Sequence, residues 1–131
     1  MTEKIVADRV DNSHLLLIAH GSRREASNWE VVAVVERLRG MQSGRFSSIE
    51  AAFLELAEPS IEEGLEVLAG RGAQHIVVMP YFLAAGSHVI QDIPEILEKF
   101  RWRHPGISLC LKEHVGRSEG MSRLILDFVD S

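Results

Sequence analysis

VVMPYFLAAGSHVIQDIP, Val77 to Pro94, is the stretch that decides the fold. A hydrophobic strand runs into a loop of small residues that presents His88 at its end, and a helical segment follows. Its counterpart lies near the N-terminus, where the apolar run Leu15 to Ala19 stops at His20 and the chain turns through Gly21 and Ser22. In an open parallel sheet the residues just beyond the carboxyl ends of the strands share one crevice. The two imidazoles, far apart in sequence, are therefore predicted to face one ligand.

Working outward, four short apolar runs, Leu15 to Ala19, Ser48 to Leu54, His75 to Met79 and Ile107 to Leu111, alternate with four segments of helical character. The first helix, about Glu25 to Arg39, places Trp29, Val32, Val35 and Leu38 on one face and is predicted to end before a left-handed cap at Gly40. Pro59 suits the first turn of the second helix, Ile61, Leu65 and Leu68 form its buried stripe, Gly64 weakens it slightly and Gly70 closes it. The third runs to about Arg103, its start falling between His88 and Ile93 because of Pro94. The fourth, Ser118 to Val129, is predicted to bury Met121, Leu124, Ile125 and Phe128. Right-handed crossovers then give a single α/β domain, a flavodoxin-like doubly wound parallel four-stranded sheet of order 2-1-3-4 with helices on both faces. Residues 1–13 read as a tail and 14–131 as the domain. His20 and His88 sit at the two lips of the switch point between the first and third strands.

Composition narrows the function. A formal charge of -5 with scattered lysines and arginines argues against nucleic acid as a partner. The N-terminal segment, charged and without a long apolar run, is neither signal peptide nor membrane span, so a cytoplasmic protein is expected. The single cysteine, Cys110, excludes an intramolecular disulfide, and its apolar neighbours predict a buried thiol.

Glu55, near the end of the second strand, adds a carboxylate to the two histidines, a set suited to a divalent metal. Neutral imidazole accepts Co²⁺, Fe²⁺, Ni²⁺ or Zn²⁺, and a carboxylate adds charge without the near-irreversible grip of thiolates. Each residue has a plainer reading. His20 could cap a strand, although its HGS turn favours a ligand role; Glu55 could satisfy amides at the next helix, a task for which Glu58 is better placed. Arg23 and Arg24 read first as a solvated helix start and second as forked partners of ligand carboxylates. His14, His75 and His104 belong to the opposite edge or a turn, whereas His114 follows the fourth strand on the functional edge.

Three motifs, AHGSR at Ala19 to Arg23, AFLELAEPSI at Ala52 to Ile61 and VVMPYFLAAGSHVIQDIP, together resemble the short class II tetrapyrrole chelatases, of the sirohydrochlorin cobaltochelatase and ferrochelatase type. The resemblance implies that His20 and His88 bind the incoming metal and that Glu55 assists as ligand or proton acceptor. It implies a divalent metal as substrate (Co²⁺, Fe²⁺ or Ni²⁺), no organic cofactor, sirohydrochlorin as the tetrapyrrole, and a homodimer whose two copies wall the cavity. Tyr81, Phe82 and Leu83 are then expected to form an apolar wall, and Ser22, Arg23 and Arg24 to meet the rim of the macrocycle. The stretch KEHVGRSEG, Lys112 to Gly120, departs from the family pattern, and the absence of a histidine-rich loop disfavours nickel. A non-catalytic metal or tetrapyrrole carrier would use the same crevice. A phosphatase-like site at the HGS turn is disfavoured because Ala19, not arginine, precedes His20.

Overall fold

In the computed structural model, which describes residues 13–42 and 44–131, the four apolar runs form strands β1 (Ser13–Ala19), β2 (Ser48–Phe53), β3 (His75–Pro80) and β4 (Ser108–Leu111). All pairings are parallel, as the alternation of strands and helices implies, and the order is β2-β1-β3-β4, the simplest doubly wound arrangement. Ser13, expected at the end of the tail, opens β1; residues 1–12 lie outside the described residues. Period-two alternation sends Leu16, Ile18, Ala52, Ile76 and Val78 to one face, where helices α2 (Ile61–Gly70) and α3 (Ser87–Arg103) cover them. Leu17, Ala19, Ile49 and Phe53 point to the other face, under helix α1 (Glu25–Met41). With α1 and α3 leaving β1 and β3 on opposite faces, the crevice between those strands is the switch point.

Several expectations are corrected. Gly40 does not cap α1; the helix continues to Met41 and Gln42 caps it, its amide donating to the Leu38 carbonyl. Val31 and Val35 are the buried positions of α1, while Trp29 is 67% exposed and Val32 is also exposed, because α1 is rotated to set its valines on β1 and β2. Pro59 precedes the second helix, after a cis Glu58–Pro59 peptide bond. Ser60 is its cap and forms a capping box with Glu63, each side chain accepting the other's backbone amide. Gly64 does more than weaken α2: a Cβ there would meet Ala52 Cβ at 3.0 Å and Leu16 Cδ1 at 3.2 Å, so the missing side chain lets the helix settle on the sheet. Helix α3 starts at Ser87 and carries Pro94 inside, which leaves the Ile90 carbonyl without an intrahelical donor. Cys110 is exposed rather than buried, since it faces the half of the sheet that α1 does not reach. Leu124, Ile125 and Phe128 of helix α4 (Glu119–Asp130) are likewise exposed, because the helix does not fold back onto the sheet.

Candidate metal centre

The carboxyl edge is extended beyond the last strand residues by backbone hydrogen bonds. Leu54 N–H donates to the Ala19 carbonyl at 2.9 Å and Glu55 N–H to the His20 carbonyl at 3.1 Å, which zips the loops after β1 and β2 together. Gly21, at φ +95, passes so close to Glu55 that a Cβ would lie 1.7 Å from its carbonyl oxygen. This contact holds His20 beside Glu55, with Nε2 3.5 Å from Oε2 and the two side chains 48% and 51% exposed. Two donors so spaced can both reach one ion at the usual 2.0 to 2.2 Å with an angle of about 110°, as in a tetrahedral centre. They leave its other positions open. His88 enters in the first turn of α3, at the end of the loop after β3 and across the switch point from His20; the direction of its side chain lies outside what the structure describes. Among the described residues no three His, Cys, Asp or Glu side chains group as a metal cage.

Ser22 is occupied in shaping the turn. Its hydroxyl accepts from Arg24 N–H at 3.0 Å, and Asn28 clasps its backbone, accepting from Ser22 N–H and donating to its carbonyl. Arg23 and Arg24 are exposed beside it. Arg23 lines a polar cavity of about 410 Å³ with Ser22, Trp29, Phe53, Leu56 and Glu58.

A second cavity, of about 330 Å³, opens on the other side of the crevice between the ends of β3 and β4. Phe82, Val89, Ile90 and Ile93 make its apolar wall, and Lys112, Glu113, His114 and Arg117 its charged rim, with Arg117 paired to Glu113 at 3.8 Å. Of the expected wall residues only Phe82 lines it; Tyr81 and Leu83 are exposed. Sequence reasoning missed Val89, Ile90 and Ile93, whose helical spacing was a usable signal, and Lys112 and Arg117, hidden in the stretch that departs from the family pattern. His14, at the opposite edge, is buried and its Nδ1 is bonded to the Ser48 hydroxyl. His104 pairs with Glu66 at 2.9 Å, also away from the crevice.

A family model described as CbiX matches residues 14–131. The chain belongs to the CbiX family. This CbiX chain is 32% identical over 111 residues to the sirohydrochlorin ferrochelatase of Bacillus subtilis, which covers 85% of this chain and 42% of that protein. It is 31% identical over 116 residues to the sirohydrochlorin cobaltochelatase of Sulfurisphaera tokodaii, covering 88% of this chain and 90% of the relative. Among solved structures, the sirohydrochlorin chelatase SirB of Bacillus subtilis subspecies spizizenii in complex with cobalt superposes with a TM-score of 0.78 at 31% identity, over 90% of this chain and 50% of SirB. This CbiX chain thus spans about half the length of its Bacillus relatives. The doubly wound fold expected from the sequence is that of these chelatases.

Proposed function

We propose that this chain is a sirohydrochlorin chelatase, which inserts Co²⁺ or Fe²⁺ into the macrocycle for cobalamin or sirohaem synthesis. The observation that carries the reading is the His20 and Glu55 pair, 3.5 Å apart at the carboxyl edge beside the switch point, in a chain of the CbiX family. Insertion exchanges one divalent cation for two pyrrole protons. His20, with His88 across the crevice, holds the ion through neutral nitrogen, and a pair of donors grips it loosely enough to surrender it to four ring nitrogens. Imidazole is also the side chain that changes charge near neutral pH, so the same histidines receive the displaced protons, with Glu55 facing the His20 imidazolium. No organic group is needed. Ni²⁺ suits the same donors and remains a third substrate by coordination chemistry.

The macrocycle, roughly 10 to 15 Å across, is larger than either cavity encloses. Its face rests on Phe82, Val89, Ile90 and Ile93, and its carboxylates meet Lys112 and Arg117 on one side and Arg23 and Arg24 on the other, by charge-assisted bonds. A second copy closes the opposite wall as a homodimer, since one small domain lines such a pocket on one side only. Work in the cytoplasm is in keeping with the free thiol of Cys110.

The test mixes sub-stoichiometric protein with anaerobic sirohydrochlorin and each divalent metal, following the macrocycle spectrum. Many product molecules per chain support the enzyme. Insertion no faster than without protein, with stoichiometric binding, makes the chain a carrier instead.

A further inference from the structure

Asn28 stands where an apolar residue would be expected. It precedes the buried Val31 and Val35 at helical spacing, so it continues the inner stripe of α1 by one turn toward the carboxyl edge. Asparagine is also one of the weaker helix formers. What it does there is hold backbone. Its Oδ1 accepts from Ser22 N–H at 3.0 Å and its Nδ2 donates to the Ser22 carbonyl at 2.8 Å, two bonds that fix the HGS turn to a helix anchored on the sheet.

Ser22 N–H is one end of a peptide group whose other end is the Gly21 carbonyl, and that carbonyl lies 3.3 Å from His20 Nδ1. A carbonyl only accepts, so this contact is a hydrogen bond when Nδ1 carries the ring proton. The other ring nitrogen, Nε2, faces Glu55 Oε2 at 3.5 Å. An ionised carboxylate likewise only accepts. A neutral imidazole has one N–H to give, and the two acceptors compete for it. The Glu55 contact is longer than a good N–H···O bond, whereas the Gly21 carbonyl is held in place, and polarised, by Asn28 at the far end of its own amide.

We propose that Asn28 is a positioning residue for metal capture: through the Gly21–Ser22 peptide it keeps the His20 proton on Nδ1, so that Nε2 presents its lone pair to an ion shared with Glu55. The bond made by the second nitrogen is what ordinarily sets the tautomer of a ligating histidine. Without Asn28 the peptide is free to turn, and the proton settles on Nε2 against the Glu55 carboxylate, where it occupies the place the cation needs. This deepens the chelatase reading and rests on it for the use of the ion, but not for the tautomer.

The tautomer is read in the metal-free chain. Long-range proton–nitrogen correlation NMR at about pH 8.5, where imidazole is neutral, is expected to show His20 protonated at Nδ1, its signals assigned by their loss in His20→Gln. Asn28→Ala is expected to move the proton to Nε2 and, with Co²⁺ alone as the probe, to weaken binding about tenfold in a visible-absorption titration. Asn28→Asp keeps an oxygen for Ser22 N–H and is expected to restore the Nδ1 proton, a rescue that a purely packing role would not produce. A parent ring protonated at Nε2, an Asn28→Ala chain with unchanged tautomer or Co²⁺ affinity, or an aspartate variant without rescue overturns the proposal. The parent spectrum decides even where the alanine chain fails to fold. Sirohydrochlorin enters only afterwards, so a chain that shows the Nδ1 proton and the Co²⁺ effect yet never metallates the ring keeps this inference and ends the chelatase reading.

Discussion

Gly21 works by what it lacks. Because a Cβ would sit 1.7 Å from the Glu55 carbonyl oxygen, and φ is +95, Gly21→Ala must open the contact that holds the loops after β1 and β2 together. Backbone strain and displacement of this kind cost about 2 to 4 kcal/mol, to be read as a lower urea midpoint with an unchanged slope; an unaltered midpoint would show that the loop yields freely. Glu55 has the opposite character, half exposed and beyond the core. Glu55→Gln should leave the melting temperature in place and slow metal insertion about 100-fold, the usual scale for a lost proton acceptor. A rate within twofold of the parent would remove Glu55 from the chemistry. His14, at the other end of β1, responds to acid. Burial first, and the Arg71 cation second, lower its pKa from 6.5, so the folded chain binds this proton less readily than the unfolded chain. The stability that follows from the neutral ring is complete above about pH 6.5 and is lost as pH falls from there toward the lowered folded value. Melting temperatures should therefore drop between pH 7.5 and 5.5, and His14→Leu should flatten that slope.

Elements were legible where periodicity met punctuation. The strands β1, β2, β3 and β4 were found to within one or two residues because short apolar runs alternated with longer helical segments and were bounded by turn residues. Their order is the simplest doubly wound arrangement that right-handed crossovers allow. What escaped reading was orientation. The spacing of Trp29, Val32, Val35 and Leu38 fits a buried stripe, yet the register one residue away, Val31 with Val35, is the one that packs, since four apolar neighbours leave the rotation of α1 to its contacts with Leu17 and Ile49. Gly64 was read as a propensity defect when its role is steric. Gly64→Ala would gain helix propensity but press on Ala52 and Leu16 at 3.0 and 3.2 Å, for a net loss of about 1 to 2 kcal/mol; a stabilised variant would mean that the sheet can move. The site was legible in part for the same reason. His20 and Glu55 follow strands and could be placed by topology, whereas Lys112 and Arg117 converge through a 3₁₀ turn that no period announces.

For the whole molecule, if the second copy proposed above walls the cavity, turnover per chain should fall on dilution through the dimer dissociation constant, measured by parallel rates and sedimentation; a constant specific activity would separate assembly from catalysis. The net charge of -5 would repel the polyanionic substrate proposed above, so attraction falls to Lys112 and Arg117 on a local rim that also carries His114 and Glu113. Raising salt from 0.05 to 0.5 M should weaken that attraction and increase KM about threefold or more, and Arg117→Ala should raise KM while shrinking the salt effect. A KM insensitive to both would assign substrate capture elsewhere. The zipped loops after β1 and β2 have one more consequence. His20 and Glu55, proposed above to handle the ion, stand past the last core side chains, Ala19 and Phe53, and their half-exposed side chains carry little of the folding free energy. On that reading, substitutions at these loop positions could alter cation preference while leaving the scaffold untouched.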